Sequence, residues 1–487
     1  MTYFSQKYCT SHLEWEVLDA PKVLKALSFE HCSWQLSPES IIEIQRDHSD
    51  YSIKCFLKGH VDSFKGIQEI PYIGEGNLVE GQKIWGVDEA GYRYELRGCL
   101  LGSYNTSSQT YLYVEAEIQV DSIEKCIAKP RKLKEPVRME WFICNDFKAK
   151  LWQITHRNPS LRNKKIRIGI DDFKEDNTGN FAGGLSSKDY ALIKFNNDSF
   201  ILSLVPDEVM QGNFKGICLE FRNQYESTGK EKLNGITSLL SFLLGNQLTH
   251  IGYSIMESQV LQEAGYYGCK VSDAGGTMPP IRFNTRHEWG NLSDLIQQLL
   301  PKFLELKDKF AFEDALSRYW IARDTPLGAN LPVLASAVEI MAQAYLKYQE
   351  KAVSDYLPKD EYLFLIGEEL QSIKAKLKGI KGYEIIVSKI SGDFRKGINE
   401  KLHIFFECIG IPIGTREKEA LNLRNKMVHG SRDYSKKENI HKDLILSRVY
   451  EVLFHRILLK MLGYTEYYMD YSMEGCPSKL ISKPAGE

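Results

Sequence analysis

The sequence has no long uninterrupted apolar run. No stretch of its 487 residues reaches the ~18 consecutive apolar positions that a membrane-spanning helix needs. Residues 1–7 also lack the basic start and following apolar core of a secretory signal. These absences predict a cytoplasmic protein with no membrane association.

Closely spaced cysteines are absent as well. The ten cysteines are scattered, so the spacing of a zinc knuckle or a redox pair does not occur. The sequence contains no His-Glu-x-x-His, metal-spaced carboxylate pair or Gly-x-Ser-x-Gly motif. The glycines of residues 265–276 do not stand between a strand and a helix, as those of a nucleotide loop do. We therefore expect neither a metal nor a cofactor.

A net charge of one sign is also missing from the chain as a whole. The formal net charge is −2 at pH 7, which gives no global attraction to nucleic acid. Residues 421–460 depart from this average, because they contain nine Lys or Arg against four Asp or Glu. This local excess predicts a basic surface around the segment.

The first part of the chain has the alternating apolar pattern of half-buried strands. The pattern is clearest at residues 111–120, and Asn196-Asn197-Asp198 has the chemistry of a hairpin turn. Strands are expected at 52–57, 111–120, 140–144, 165–170, 191–195, 199–205 and 217–221. We predict an antiparallel β-rich region over residues 1–285, with a connector near 130–138 between two β subdomains.

From about residue 290 apolar residues recur every three or four positions, which is the period of amphipathic helices. Asn330 has the residue type of an N-cap and Gly463 that of a C-cap. Helices are expected within 229–249, from Leu292, and at 331–348, 359–378, 383–408, 415–429 and 438–462. The predicted fold class is α+β and multidomain: β-rich residues 1–285, a bundle of five to seven helices over 286–470, and a tail over 471–487.

One short segment carries a candidate active site. Arg424 and His429 stand five residues apart near the end of the predicted helix 415–429, in Leu423-Arg424-Asn425-Lys426-Met427-Val428-His429-Gly430. An imidazole titrates near neutral pH, so it can activate the ribose 2′-hydroxyl or protonate the leaving 5′-oxygen during RNA cleavage. A guanidinium keeps its proton and can hold two oxygens of the attacked phosphate. These residue types suit metal-independent RNA cleavage.

The same segment matches the HEPN signature, an arginine followed by a polar residue, a short spacer and a histidine. Ser317-Arg318-Tyr319-Trp320-Ile321-Ala322-Arg323 and Val338-Glu339 add to the likeness. Residues 290–465 resemble the HEPN domains of the ApeA-like group of bacterial anti-phage and abortive-infection proteins, and the β-rich front is similar only in arrangement to the domains that precede them. The resemblance implies an all-α HEPN ribonuclease, controlled by an N-terminal region that senses a phage-derived trigger.

Helix geometry complicates a site built from one copy of this segment. Five residues at ~100° each place the side chains of Arg424 and His429 about 140° apart around an ideal helix. Asn425 lies four residues before His429 and shares its face, so its amide can orient the imidazole or contact the phosphate. In the family two such helices meet across a dimer. The resemblance therefore implies a homodimer with a composite site, in which two basic segments face one groove.

Nearby residues complete the set of candidates. Four basic residues are the expected RNA contacts, because they lie in the basic segment: Lys426, Arg432, Lys436 and Lys437. Glu339 is a candidate for orienting Arg424 across the bundle, with a solvated or capping glutamate as the alternative. His455 and Arg456 are expected to pack or to face solvent.

Other functions stay open on the sequence alone. A histidine in the last turn of a helix before glycine is favoured by the helix dipole and the left-handed cap, whatever its role. The chain is then a non-catalytic HEPN scaffold that dimerises and binds RNA or a protein. A further alternative is a β-rich region that binds a carbohydrate or a peptide, with the helices serving only for oligomerisation.

Overall fold

The computed structural model describes most of the chain. The residues described are 18, 21–30, 37–47, 49–61, 82–108, 112–126, 136–145, 190–196, 198–204, 214–222, 229–257, 260–269, 278–282, 292–326, 329–349, 356–391, 396–428 and 437–487. The strand predicted at 165–170 and most of the connector predicted near 130–138 lie outside these residues.

The β-rich part consists of thirteen described strands that pair in one continuous antiparallel sheet. The strands are β1 Lys22–Phe29, β2 Ile41–Arg46, β3 Ile53–Val61, β4 Gln82–Val87, β5 Arg93–Ser108, β6 Leu112–Gln119, β7 Ser122–Cys126, β8 Val137–Asn145, β9 Tyr190–Phe195, β10 Asp198–Leu204, β11 Phe214–Arg222, β12 Thr249–Glu257 and β13 Val260–Tyr267. Their order is β4-β1-β2-β3-β6-β5-β7-β13-β12-β8-β11-β10-β9. β4 also pairs with β5, so the first six strands form a closed ring of hydrogen bonds.

Period-two burial produces these strands. Ile42 and Ile44 on β2 and Cys55 and Leu57 on β3 are fully buried, whereas the residues between them are exposed or half-buried. Alternate side chains of a strand point to opposite faces, so this pattern builds a core on one side of the sheet. The strand predicted at 111–120 is confirmed as β6.

The hairpin predicted at Asn196-Asn197-Asp198 is confirmed. Phe195 of β9 pairs with Asp198 of β10, so a two-residue loop joins the strands. Asn196 has a φ of 50°, in the left-handed region that asparagine tolerates better than most residues.

Nine helices are described. They are α1 Lys230–Leu244, α2 Leu292–Leu306, α3 Phe312–Asp324, α4 Asn330–Tyr348, α5 Lys359–Leu377, α6 Tyr383–Ser391, α7 Ile398–Ile409, α8 Thr415–Val428 and α9 Lys437–Met461. Two short strands, β14 Tyr467–Met469 and β15 Ser478–Leu480, form a separate hairpin. The fold class is therefore α+β, with a β-rich N-terminal region followed by a helical region, as predicted.

Residues 286–470 contain eight described helices, α2–α9, and not the five to seven predicted, and two further details of the predicted helices are wrong. The single helix expected at 383–408 is two helices, α6 and α7, and Gly397 precedes α7 with an extended backbone while its N–H donates to the Glu400 carboxylate. Ala329 is the N-cap residue of α4, so Asn330 is the first helical residue. Gly463, with a φ of 80°, ends α9 as expected.

The chain divides into two compact units. The first comprises residues 1–233, 246–277 and 283–297, and it contains the thirteen-stranded sheet. The second comprises residues 234–245, 278–282 and 298–487, and it contains α3–α9. The candidate site belongs to the second unit.

Candidate active site

α8 carries Arg424 on the side of the helix that packs against the bundle. Glu417 and Ala420 are fully buried, and Arg424, at i+7 from Glu417, has a side chain that is only 15% exposed. Residues three, four and seven apart lie on one face of a helix. Arg424 is thus directed at the neighbouring helices rather than away from them.

Arg424 forms an ion pair with Glu339 of α4. Its Nη2 contacts Glu339 Oε1, and the Glu339 side chain is 17% exposed. This contact joins the two residues that the sequence suggested as a catalytic arginine and its orienting partner. A carboxylate that holds a guanidinium restricts its direction, and that restriction is what a phosphate-binding arginine requires.

A second arginine adds positive charge to this cluster. Arg318 of α3 donates from Nη1 to the carbonyl oxygen of Ser336 on α4, at 3.4 Å. Burial raises the pKa of Glu339 above its usual range, while Arg424 and Arg318 act in the opposite direction. Arg424 pairs with Glu339 and Arg318 acts on it electrostatically, so these three side chains together carry one positive charge even when Glu339 is ionised.

Tyr450 of α9 lies close to the same charges and was not anticipated from the sequence. Its side chain is fully buried, and its hydroxyl has no hydrogen-bond partner among the described residues. Burial raises the pKa of Tyr450, with Glu339 raising it further and Arg424 lowering it. No motif pointed to Tyr450, because its place in an apolar stretch of α9 is typical of a core residue.

The other predicted site residues are only partly visible. α8 ends at Val428, so His429 follows directly in the sequence but lies outside the described residues, as do Arg432 and Lys436. The backbone of Asn425 and Lys426 belongs to α8, but their side chains are not among those described. Lys437 is the exposed first residue of α9. The structure thus brings Arg424 together with Glu339, and the geometry between Arg424 and His429 stays a prediction.

A buried ion pair fixes the start of α8. Arg456 of α9 and Glu417 of α8 are both fully buried, and Arg456 Nη1 donates to Glu417 Oε1. Arg456 Nη2 also donates to the carbonyl oxygens of Pro412 at 3.1 Å and Ile481 at 3.0 Å. The backbone N–H of Ala485 donates to Glu417 at 3.1 Å. With its polar groups satisfied in this way, the pair anchors α8 to α9 and to residues 481–485.

His455 is buried in the core of the helical unit. Its Nε2 lies 2.8 Å from the Tyr319 hydroxyl, which donates to Glu451 Oε1 at 3.2 Å. Burial, with Arg323 and Arg448 nearby, lowers the pKa of His455 to about 3, so the ring is neutral at physiological pH. His455 and Arg456 therefore pack, in agreement with the sequence interpretation.

Neither a metal centre nor a membrane span is visible in the part of the chain that the structure describes. No group of three or more His, Cys, Asp or Glu is placed to hold a metal ion there. None of the helices described is long and apolar enough to cross a membrane.

Comparison with protein-family models, with curated proteins and with solved structures finds no match in any of the three. The resemblance to HEPN domains therefore rests on the sequence segments alone and stays a prediction.

Proposed function

We propose that this chain is a metal-independent endoribonuclease of the HEPN type, which acts in the cytoplasm in anti-phage defence. The observation that carries the proposal is the position of Arg424. It lies on α8, five residues before His429, and is held by Glu339 with Arg318 close by. A fixed guanidinium with surplus positive charge suits a phosphate that gains negative charge during the reaction.

In the proposed reaction, the ribose 2′-oxygen attacks the adjacent phosphorus as the bond from phosphorus to the 5′-oxygen breaks. One imidazole accepts the proton of the 2′-hydroxyl, and an imidazolium gives a proton to the leaving 5′-oxygen. With one His429 from each copy of a homodimer, both roles are filled. Arg424 holds the equatorial oxygens, Asn425 orients an imidazole, and the product end is a 2′,3′-cyclic phosphate or its 3′-phosphate hydrolysis product.

The remaining parts of the proposal concern control and RNA capture. Lys426, Arg432, Lys436 and Lys437 attract the RNA backbone around the cleaved bond. The β-rich unit binds a phage-derived trigger and releases the nuclease, which then cuts host or phage RNA and aborts the infection. Supporting this assignment, the chain has two compact units, so a sensor and an effector can occupy separate cores.

The test uses the purified full-length chain, single-stranded RNA and a chelator. We expect cleavage in the chelator, products with a 2′,3′-cyclic phosphate or 3′-phosphate end, and a loss of roughly 10²–10⁴-fold in rate for His429→Ala. His403→Ala is the matched control, because the His403 side chain is 73% exposed on α7 and contacts Glu407 one turn further along the same helix. Full activity of His429→Ala, or a strict requirement for divalent metal, would count against the mechanism.

A non-catalytic HEPN scaffold that binds RNA or a protein is the second candidate. The same ion pair favours it, since an arginine already satisfied by Glu339 is also what a structural role requires. If wild-type protein binds RNA, Arg424→Ala weakens that binding, and no product forms under any condition, the scaffold is the better account.

A further inference from the structure

α5 and α6 form a helical hairpin with very little buried surface of its own. The Tyr362 hydroxyl of α5 donates to the Ile390 carbonyl oxygen of α6 at 2.7 Å, which fixes the two helices side by side. Leu370 is the one residue of α5 that is buried, and no residue of α6 is. A hairpin this exposed contributes little to a core. Few of its side chains are needed for packing, and the others can bind a partner.

The end of this hairpin is strongly basic. Four lysines lie within eight residues there, and the segment between Glu369 and Glu384 contains no acidic residue. We define the lysine tip as Lys374, Lys376, Lys378 and Lys381. Within the described parts of the chain, none of the four ammonium groups forms an ion pair with a carboxylate. Lys376, Lys378 and Lys381 are exposed, and Lys374 is half-buried.

The helix dipole accounts for only part of this pattern. Lys374 and Lys376 lie in the last turn of α5, where a cation is favoured, but Lys378 and Lys381 lie beyond the helix. Gly379 and Gly382 have φ values of 89° and 87°, so they turn the chain between the helices within the basic segment. Four charges without a carboxylate partner among the described residues, all at one end of the hairpin, exceed what capping a helix needs.

We propose that the lysine tip binds the phosphate backbone of single-stranded RNA outside the cleavage site. This inference rests on the proposed ribonuclease function. Lysine contacts phosphates as a flexible point charge and reads no base, so the tip adds affinity without sequence preference.

RNA fits the tip better than a lipid surface does. Lys374 and Lys376 point about 160° apart around α5, so the charges surround the end of the hairpin and do not form one flat face. The most exposed apolar side chains of α5, Phe364 and Leu365, lie near its start among acidic residues. Within the tip a single large apolar side chain, Ile380, is more than half exposed, and Ile385 and Ile386 of α6 are exposed beyond the lysines. A helix that binds a membrane surface carries its basic and apolar residues along the same length. A flexible phosphate chain can instead wrap around the tip.

The experiment measures RNA binding by the full-length chain as a function of salt. Lys374→Gln, Lys376→Gln, Lys378→Gln and Lys381→Gln are combined in a His429→Ala background, so that labelled single-stranded RNA stays intact. The matched control replaces four other exposed lysines by Gln: Lys302, Lys347, Lys359 and Lys483. We expect the slope of log binding constant against log salt to become shallower by about 3 in the tip variant, because each of the four lost phosphate contacts contributes ~0.7 to the slope. The control slope should change much less.

Further outcomes separate this inference from the nuclease proposal. With His429 intact, the tip variant should cleave RNA with a raised KM and an unchanged kcat. If the wild type cleaves RNA but the tip variant keeps its salt slope, the inference is overturned and the nuclease stands. If no RNA is cleaved but the salt slope of the tip variant becomes shallower, the lysine tip binds RNA and the nuclease proposal is wrong. If the tip variant loses binding to phosphatidylserine vesicles and keeps its RNA affinity, the tip binds lipid and the proposal is wrong.

Discussion

At the scale of single residues, Glu339 restricts the direction of the Arg424 guanidinium through their ion pair. Burial raises the pKa of Glu339, so the environment disfavours its ionised form even with two arginines nearby. A carboxylate kept in such a place has a cost in folding free energy at neutral pH. We expect that cost to be offset by function, because sites that break local rules of stability are commonly functional ones.

This argument predicts opposite effects of Glu339→Gln on stability and on cleavage. A raised pKa in the folded state means that the stabilising contribution of Glu339 is complete below its usual pKa and is lost as the pH rises through the raised value. Gln resembles the protonated form, so the free energy of unfolding at pH 7 should equal or exceed that of the wild type, with the difference vanishing in acid. Cleavage should fall roughly tenfold, because a neutral amide orients the guanidinium less firmly. Urea denaturation across pH and initial rates measure the two effects.

Glu400→Gln is the control with the opposite sign. The Tyr356 hydroxyl and then the Gly397 N–H hydrogen-bond to Glu400 and lower its pKa. Its stabilising contribution is therefore present above the usual pKa and lost as the pH falls through the lowered value. This variant should be less stable than the wild type at pH 7 and cleave RNA normally. A loss of stability at pH 7 in both variants, without any change in cleavage, would assign Glu339 a structural role only.

The residue types of the candidate site were visible in the sequence to different degrees. Glu339 was one candidate for orienting Arg424, beside the alternative of a solvated or capping glutamate, and the ion pair joins the two residues. Tyr450 was missed, because a tyrosine within an apolar helical stretch looks like any core residue and only the packing of α9 places it near these charges. Which helices meet is a long-range property, and no local spacing encodes it.

At the scale of elements, the buried pair of Glu417 and Arg456 joins the first turn of α8 to α9. Removing one partner of a buried ion pair leaves the other charge without compensation, which costs about 3–5 kcal/mol. An exposed pair on the same helix should matter far less. Arg416 and Glu419 lie 3.9 Å apart with side chains 49% and 40% exposed.

We therefore predict that Arg456→Ala lowers the free energy of unfolding of the helical unit by about 3–5 kcal/mol, whereas Arg416→Ala lowers it by less than about 1 kcal/mol. Chemical denaturation followed by circular dichroism measures both. Combining Arg456→Leu with Glu417→Leu should recover part of the loss, since neither charge is then buried alone. Equal effects of the two single variants would show that the pair does not anchor α8.

Elements with strong periodicity were predicted best. Residues 111–120 alternate without interruption and form β6, whereas residues 383–408 keep an apolar period through a break that only the extended backbone of Gly397 reveals. The sequence interpretation placed six of the thirteen described strands (β3, β6, β8, β9, β10 and β11), missed the other seven, and did not predict their order. The pairing of β7 with β13, which joins strands 134 residues or more apart, depends on the whole sheet and not on either strand.

At the scale of the whole molecule, the helical unit includes short segments from the β-rich part of the sequence. Arg323 donates to the Gly245 carbonyl oxygen at 3.0 Å, the N–H of Met469 donates to the Pro280 carbonyl oxygen at 2.8 Å, and the Tyr471 hydroxyl donates to that of Pro279 at 2.7 Å. A fragment that begins at residue 286 would lose these partners. The proposed nuclease is therefore best tested in the full-length chain.

The proposed composite site also makes a prediction about mixtures. If each site needs His429 from two copies, a tenfold excess of His429→Ala protein should convert nearly all wild-type copies into mixed dimers. The cleavage rate per wild-type copy should then fall about tenfold, as the statistics of pairing require. Native mass spectrometry with a heavier tagged variant would verify that exchange is complete, and an equal excess of an unrelated protein is the control. An unchanged rate per wild-type copy, with mixed dimers present, would mean that one copy holds a complete site and that the pairing of His429 residues is wrong.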